Sequence, residues 1–338
     1  MDVMSSKQIY LHVGLPKTAT TFLQHDCFPL LDGVHTASLE EESDRELTLF
    51  FQDLAYANPS FYALEEKRAE LAALIERTDR EKILISCEEL FGWFHLNFAN
   101  NFFIAETLKQ LIPGAKLMIV IRAQADWLES AYKQTLRQNS SETINRFLRF
   151  KDGRFETRRL FPGRPQINVR ELNYHTYISH YARLFGADNI MILPFELVNG
   201  NQDEFMRRTA QFMDTNFVRT PSNRTANRGY SLITSYLALV LNRFIINQYH
   251  GQGMVPEQPF HAYFKARRND NFFYRVLSSL TSRMNLNYVL EHILDRVIYI
   301  RAKFISEQKR RAIFDIHKAS NRALEEEFQV GLDGLGYY

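Results

Sequence analysis

Lys17 stands in a stretch suited to holding an anion, Gly14-Leu15-Pro16-Lys17-Thr18-Ala19-Thr20-Thr21. The apolar run at 9–13 reads as a buried strand, it breaks at Gly14, and a helix is expected from about Thr18. The first N–H groups of a helix have no partner within it, and the helix dipole favours negative charge at that end. Lys17 adds a cation, and Thr18, Thr20 and Thr21 add hydroxyl donors. These residue types point to a phosphate-like or sulfate-like group. The loop is not a Walker A, which carries a second glycine directly before its lysine; Pro16 occupies that place. An ordinary strand-to-helix turn capped by threonine is the competing reading.

A second pair lies further on. Arg122 follows the apolar run 116–121, and Ser130 comes eight residues later. An arginine at the carboxyl end of a parallel strand faces the crevice where open α/β sheets bind ligands. Both residues can reach one anion if the helix bearing Ser130 runs back beside the strand; the alternative is an arginine and a serine facing solvent.

The elements that must position these residues alternate between strand and helix. Strands are expected at 9–13, 82–86, 116–121 and 189–193, and helices at 65–77, 102–111, through Trp127, Leu128 and Tyr132, and at 173–185. Near-continuous apolar strands separated by helices argue for a parallel sheet covered on both faces. From Ser231 the strand signal fades, and segments 232–249, 272–283, 288–300 and 301–328 read as helical, with a loop at 251–259. The expected organisation is one domain over 1–338, with an α/β core at 1–215 and a mainly helical part at 216–338. Tyr230, Tyr236, Phe244 and Tyr249 have a spacing that suits helix packing and read as core. The segment 146–170 is basic, with arginines at 146, 149, 154, 158, 159, 164 and 170, and reads as a solvated excursion in preference to a site for an anionic acceptor such as an acidic glycan.

Bulk composition excludes several classes. A net charge of +2 gives nucleic-acid binding little support. Cys27 and Cys87 offer neither a disulfide framework nor metal-ligand spacing. No apolar stretch reaches spanning length, since Asn242 and Arg243 interrupt the nearest one at 231–246, and no secretory h-region is expected. The simplest expectation is a soluble protein of a reducing compartment, the cytoplasm.

Pro16-Lys17-Thr18-Ala19-Thr20-Thr21 resembles the 5′-phosphosulfate loop of the PAPS-dependent sulfotransferases, written P-K-T/S-G-T-T, and Arg122 with Ser130 resembles that family's 3′-phosphate pair. Phe195-Glu196 after the strand at 189–193 and the ending Gly334-Leu-Gly-Tyr-Tyr resemble further bacterial-type features. The resemblance is dense to about Met213 and thin from there to about Ala312. It implies a P-loop-like three-layer sandwich and sulfuryl transfer from PAPS, leaving PAP, to a hydroxyl or amine on a glycan or small hydroxylated metabolite, with no metal required. Pro16, Lys17, Thr18, Ala19, Thr20, Thr21, Arg122 and Ser130 would hold the nucleotide, and Lys17 would neutralise the bridging oxygen. The family's late basic loop has its nearest counterpart around Asn223 to Gly229, which brings in Arg228 and Gly229. Ala19 replaces the loop glycine and Gln124 replaces a common proline; alanine suits position 19 only if its φ is helical.

The family's glycan-modifying members place a glutamate base just past the second core strand. Glu88 matches by position, with Glu89 beside it and His95 and His25 as rivals. Trp93 and Phe94, near Glu88, could line an acceptor pocket, but core is the preferred reading. Two other functions stay open on this sequence: a P-loop-type kinase or nucleotide phosphotransferase, and a catalytically inactive protein of the same fold.

Overall fold

The computed structural model describes residues 7–37, 42–157, 165–221, 230–246, 255–256, 273, 276, 299–300 and 303–338. Arg228 and Gly229, the helices expected at 272–283 and 288–300, Tyr249, and Arg158, Arg159 and Arg164 lie outside the described residues.

The described residues divide into two compact units. The first comprises Met1–Trp127, Arg170–Ala226 and Arg311–Tyr338. Its centre is a parallel sheet of β1 (Gln8–Val13), β2 (Val34–Ala37), β3 (Lys82–Cys87), β4 (Lys116–Ile121) and β5 (Ile190–Pro194), in the order β2-β3-β1-β4-β5. Each of β1, β3 and β4 is buried at every position but its first, as strands covered on both faces must be. Alternate residues serve opposite faces. Tyr10, Leu84, Met118, Val120 and Leu193 pack on one face with Leu23, Phe28 and Phe205. Burial of each such apolar side chain contributes about 1.5–3 kcal/mol.

Helices α2 (Glu42–Tyr56), α3 (Leu64–Glu76), α4 (Asn101–Leu111), α6 (Tyr174–Phe185) and α7 (Gln202–Phe212) flank the sheet. The strand between 189 and 193 and the helices near 65–77, 102–111 and 173–185 agree with the sequence reading to within about two residues, while β2, α2 and α7 were not foreseen. Helix α1 (Thr20–Phe22) continues into a π-turn, Leu23–Cys27, and a 3₁₀ turn, Phe28–Leu30. The expected start at Thr18 is therefore two residues early, because Lys17 and Ala19 both adopt left-handed backbone, at φ 70° and 65°.

The strand order places the switch point of the sheet at β1. The chain passes from β3 on one side of β1 to β4 on the other. The register pairs Val13 with Cys87, so Gly14 and Glu88 leave the sheet side by side.

The second unit comprises Leu128–Val169 and Asn227–Arg310. Helix α5 (Gln124–Arg137) enters it from the first unit, and α8 (Leu232–Leu241) lies within it. Asn242 donates to the carbonyls of Leu136 and Ser140, both at 2.8 Å, and ends α8 well before Tyr249. Glu129 accepts from Arg310 at 2.8 Å with Lys133 at 3.4 Å. Tyr230 is core as expected, but Tyr236 and Phe244 are exposed: Tyr236 lies on the outer face of α8, and Phe244 comes after the helix has stopped at Leu241. Of the described arginines in 146–170, Arg146, Arg154 and Arg170 are exposed and Arg149 is buried. Helix α9 (Glu307–Phe328) returns the chain to the first unit. Among the described residues no helix is long and apolar enough to cross a membrane.

Candidate active site

The loop after β1 is held by its carbonyls. The indole N–H of Trp127 donates to the Pro16 carbonyl, and Arg122 Nη1 donates to the Lys17 carbonyl at 3.1 Å. The Thr18 hydroxyl donates to the Leu15 carbonyl at 2.6 Å, so the side chain of this buried threonine is spent inside the loop and leaves its N–H for a ligand. Non-glycine residues in left-handed backbone cost roughly 1–2 kcal/mol each. These hydrogen bonds hold the carbonyls of the Lys17 turn in that conformation. Ala19 precedes α1 in the left-handed region without a side-chain cap. That is the conformation in which alanine replaces glycine at a cost. Thr20 is buried and its hydroxyl has no partner at hydrogen-bonding geometry, while Thr21 is exposed.

Gly14 is the close approach that brings Glu88 to this loop. A Cβ on Gly14 would lie 3.2 Å from Glu88 Cα, 3.3 Å from Glu88 Cβ and 3.3 Å from His12 Cε1. Beneath it, His12 Nδ1 is 2.7 Å from Ser86 Oγ, and Gln24 donates to Ser86 Oγ at 3.0 Å and to the Ser86 carbonyl at 2.9 Å. Burial pushes His12 down to about 3, so it is neutral and adds no charge to the site. Gln24 thereby fastens the helical segment after the loop to the strand that ends at Glu88.

Glu88 has its carboxyl pKa raised, first by burial and then by Glu89, with Lys17 and the Thr20 hydroxyl pulling the other way. Lys17 and Glu88 thus share one electrostatic environment, a carboxyl of raised affinity for protons acting on the only lysine of the loop. Glu89 is turned aside, accepting from the Cys87 thiol at 3.3 Å. His25 is exposed on the π-turn, and the side chain of His95 lies outside those described.

Arg122 is the hub on the other side. Its guanidinium lies 4.4 Å from the centre of the Phe195 ring, and its carbonyl accepts from the Tyr174 hydroxyl at 2.7 Å. Glu196 accepts from the Ala123 N–H at 3.0 Å and from the Tyr337 hydroxyl at 2.9 Å. Gln124 and Asn321 exchange amide hydrogen bonds at 2.9 and 3.0 Å, and Asn321 also donates to the Tyr337 carbonyl at 2.8 Å. Burial holds the Arg122 pKa below its ordinary value, opposed first by Asp126 and then by Glu196. Its Nε is buried without a partner. A buried guanidinium N–H left unmatched is costly unless an acceptor comes to it.

The structure therefore brings together Pro16, Lys17, Thr18, Ala19, Thr20, Glu88 and Arg122 at the carboxyl edge of the sheet. Ser130 stands half-buried on α5 in the second unit. Trp127, Tyr174 and Tyr337 hold the site in place and were missed as site residues. Trp127 had a signal in the sequence, because a buried indole needs an acceptor for its N–H. No family model matches the chain, and no curated protein does. A solved structure described as a sulfotransferase from Alicyclobacillus acidocaldarius is 15% identical, with a TM-score of 0.43, over 70% of this chain and 93% of that one. A superposition that loose leaves function to the residues themselves.

Proposed function

We propose that this chain is a sulfotransferase whose residues 16–21 and Arg122 hold 3′-phosphoadenosine 5′-phosphosulfate, and that Glu88 takes the proton of an acceptor hydroxyl or amine. The observation that carries this reading is the hydrogen bond from Arg122 to the Lys17 carbonyl, which joins two motifs 105 residues apart. The unmatched Arg122 Nε fits a ligand rich in anionic oxygens. The co-substrate supplies an activated sulfuryl group. The loop N–H groups and the Lys17 ammonium compensate charge where it gathers on the leaving oxygen, a role for fixed dipoles and cations. Glu88 holds the proton released from the acceptor, in a position set by Gly14 rather than by a flexible loop. Ser130, Arg228 and Gly229 enter this reading by resemblance alone.

Calorimetric titration with PAP and with AMP separates this reading from its rivals. Wild type is expected to prefer PAP, since only PAP carries the 3′-phosphate. Arg122→Ala should lose that preference by about tenfold or more, the effect of a charged hydrogen bond worth about 1.5–3 kcal/mol. Lys17→Ala should abolish transfer from labelled PAPS. Equal affinity for PAP and AMP in the wild type removes Arg122 from its role, and tighter binding of ATP–Mg²⁺ than of PAP favours a phosphotransferase.

A further inference from the structure

The turn that follows Glu88 sends one large aromatic side chain outward. Phe91, Phe94 and Phe98 are buried, and Phe94 and Phe98 pack against Trp127. Trp93, between them in sequence, is 41% exposed, so it departs from the core reading that holds for Phe94. Its ring meets that of Tyr56, 56% exposed, edge to face, with centroids 5.4 Å apart and planes at 78°. Tyr56 is the last residue of α2, which packs against the turn Glu88–Phe91.

This corner is built rather than incidental. Asn100 accepts from the Trp93 N–H at 3.1 Å and donates to the Ala55 carbonyl at 2.8 Å, so one side chain fixes the backbone on both sides. Gly92, at φ 106°, leaves room for Asn100 Oδ1, which a Cβ there would meet at 3.0 Å. Trp93 and Tyr56 thus present two touching, partly exposed aromatic rings beside the turn that begins at Glu88. The surrounding charge is negative. The Tyr56 hydroxyl is pushed up first by burial and then by Glu89, Cys87 and Glu88.

We propose that Trp93 and Tyr56 form the acceptor platform and that the acceptor is an uncharged sugar ring. A pyranose has a face of C–H groups that lies against an aromatic ring and a rim of hydroxyls. Such a ring suits a corner with one indole face, one phenol and carboxylates within reach. The same carboxylates repel an acidic glycan. The inference rests on the proposed role of Glu88 for what happens to the sugar hydroxyl, but not for sugar binding itself.

The chain has two tryptophans, and Trp127 is fully buried, so acrylamide quenching of fluorescence reports on Trp93. Neutral disaccharides (cellobiose, maltose, N,N′-diacetylchitobiose) are titrated without donor, beside digalacturonate and phenol. At least one neutral disaccharide should protect Trp93 saturably, and digalacturonate and phenol should not. By calorimetry, Trp93→Ala should weaken that disaccharide about tenfold and Trp93→Phe about threefold or less, as loss or retention of a stacking face requires. PAP affinity and the circular-dichroism melt should stay unchanged in both variants. The proposal is overturned if no neutral disaccharide protects Trp93, if digalacturonate or phenol binds more tightly, or if Trp93→Ala leaves affinity unchanged. PAP binding without disaccharide binding removes the platform alone; disaccharide binding without PAP binding removes the donor reading alone.

Discussion

Glu88 holds a carboxyl group whose ionised form the protein disfavours, and that has consequences for rate and stability with opposite signs. Burial and Glu89 raise its pKa above the ordinary 4.5. A base must be ionised, so transfer should rise with pH through a midpoint above the usual carboxylate range. Glu88→Gln should abolish that limb. Glu89→Gln removes a like charge, lowers the Glu88 pKa and should move the limb to lower pH. For stability, a raised folded pKa means that the folded state binds more protons than the unfolded state between the two values. Stability is then full below about pH 4.5 and falls as pH rises through the folded pKa. Glu88→Gln removes that decline, so the variant should melt higher than wild type at neutral pH while losing transfer. A pH–rate profile and parallel melting curves check both; a Glu88→Gln variant that is active, or that melts lower at neutral pH, contradicts the assignment.

At the scale of the element, the loop after β1 is a strained piece made rigid by its neighbours. Ala19, at φ 65°, carries a left-handed penalty of roughly 1–2 kcal/mol. Glycine would relieve it at a cost of about 0.4–1 kcal/mol from the freer unfolded chain. Ala19→Gly should therefore stabilise the protein by about 0.5–1 kcal/mol, read from urea unfolding, without weakening PAP. A destabilised variant would mean that the turn needs the alanine methyl. The sequence announced the loop through its Lys and Thr content but not its conformation. The turn at Lys17 is held by Trp127 and Arg122, more than a hundred residues away. The strands β1, β3 and β4 were legible because continuous apolar runs bounded by breakers leave little else to be. Strand β2, Val-His-Thr-Ala, lacks such a run, and its pairing to β3 was not visible locally.

At the scale of the whole molecule, the edge that carries Arg122 is closed by residues drawn from four places in the chain. Tyr174, Glu196, Asn321 and Tyr337 all converge on residues 122–124. Phe195-Glu196 and the tail could be seen as separate motifs; that they meet at Arg122 is a long-range polar network, which no periodicity encodes. Glu196 is the weak member, since burial raises its pKa while the Ala123 N–H, the Tyr337 hydroxyl and Arg122 oppose the rise. Tyr337→Phe deletes the hydroxyl and leaves a buried carboxylate oxygen without its donor, a loss of about 1–3 kcal/mol. It also raises the Glu196 pKa further, so the folded state binds protons that the unfolded state has released. The cost should therefore be smaller near pH 4.5 and larger near pH 8, with the loss appearing as pH climbs through the folded Glu196 value. Because Glu196 holds the Ala123 N–H next to Arg122, PAP affinity should fall along with stability. Urea unfolding at the two pH values and a PAP titration measure both effects. A pH-independent cost would show that Tyr337 contributes packing alone, and an unchanged PAP affinity would show that the network braces the sheet edge without setting the position of Arg122.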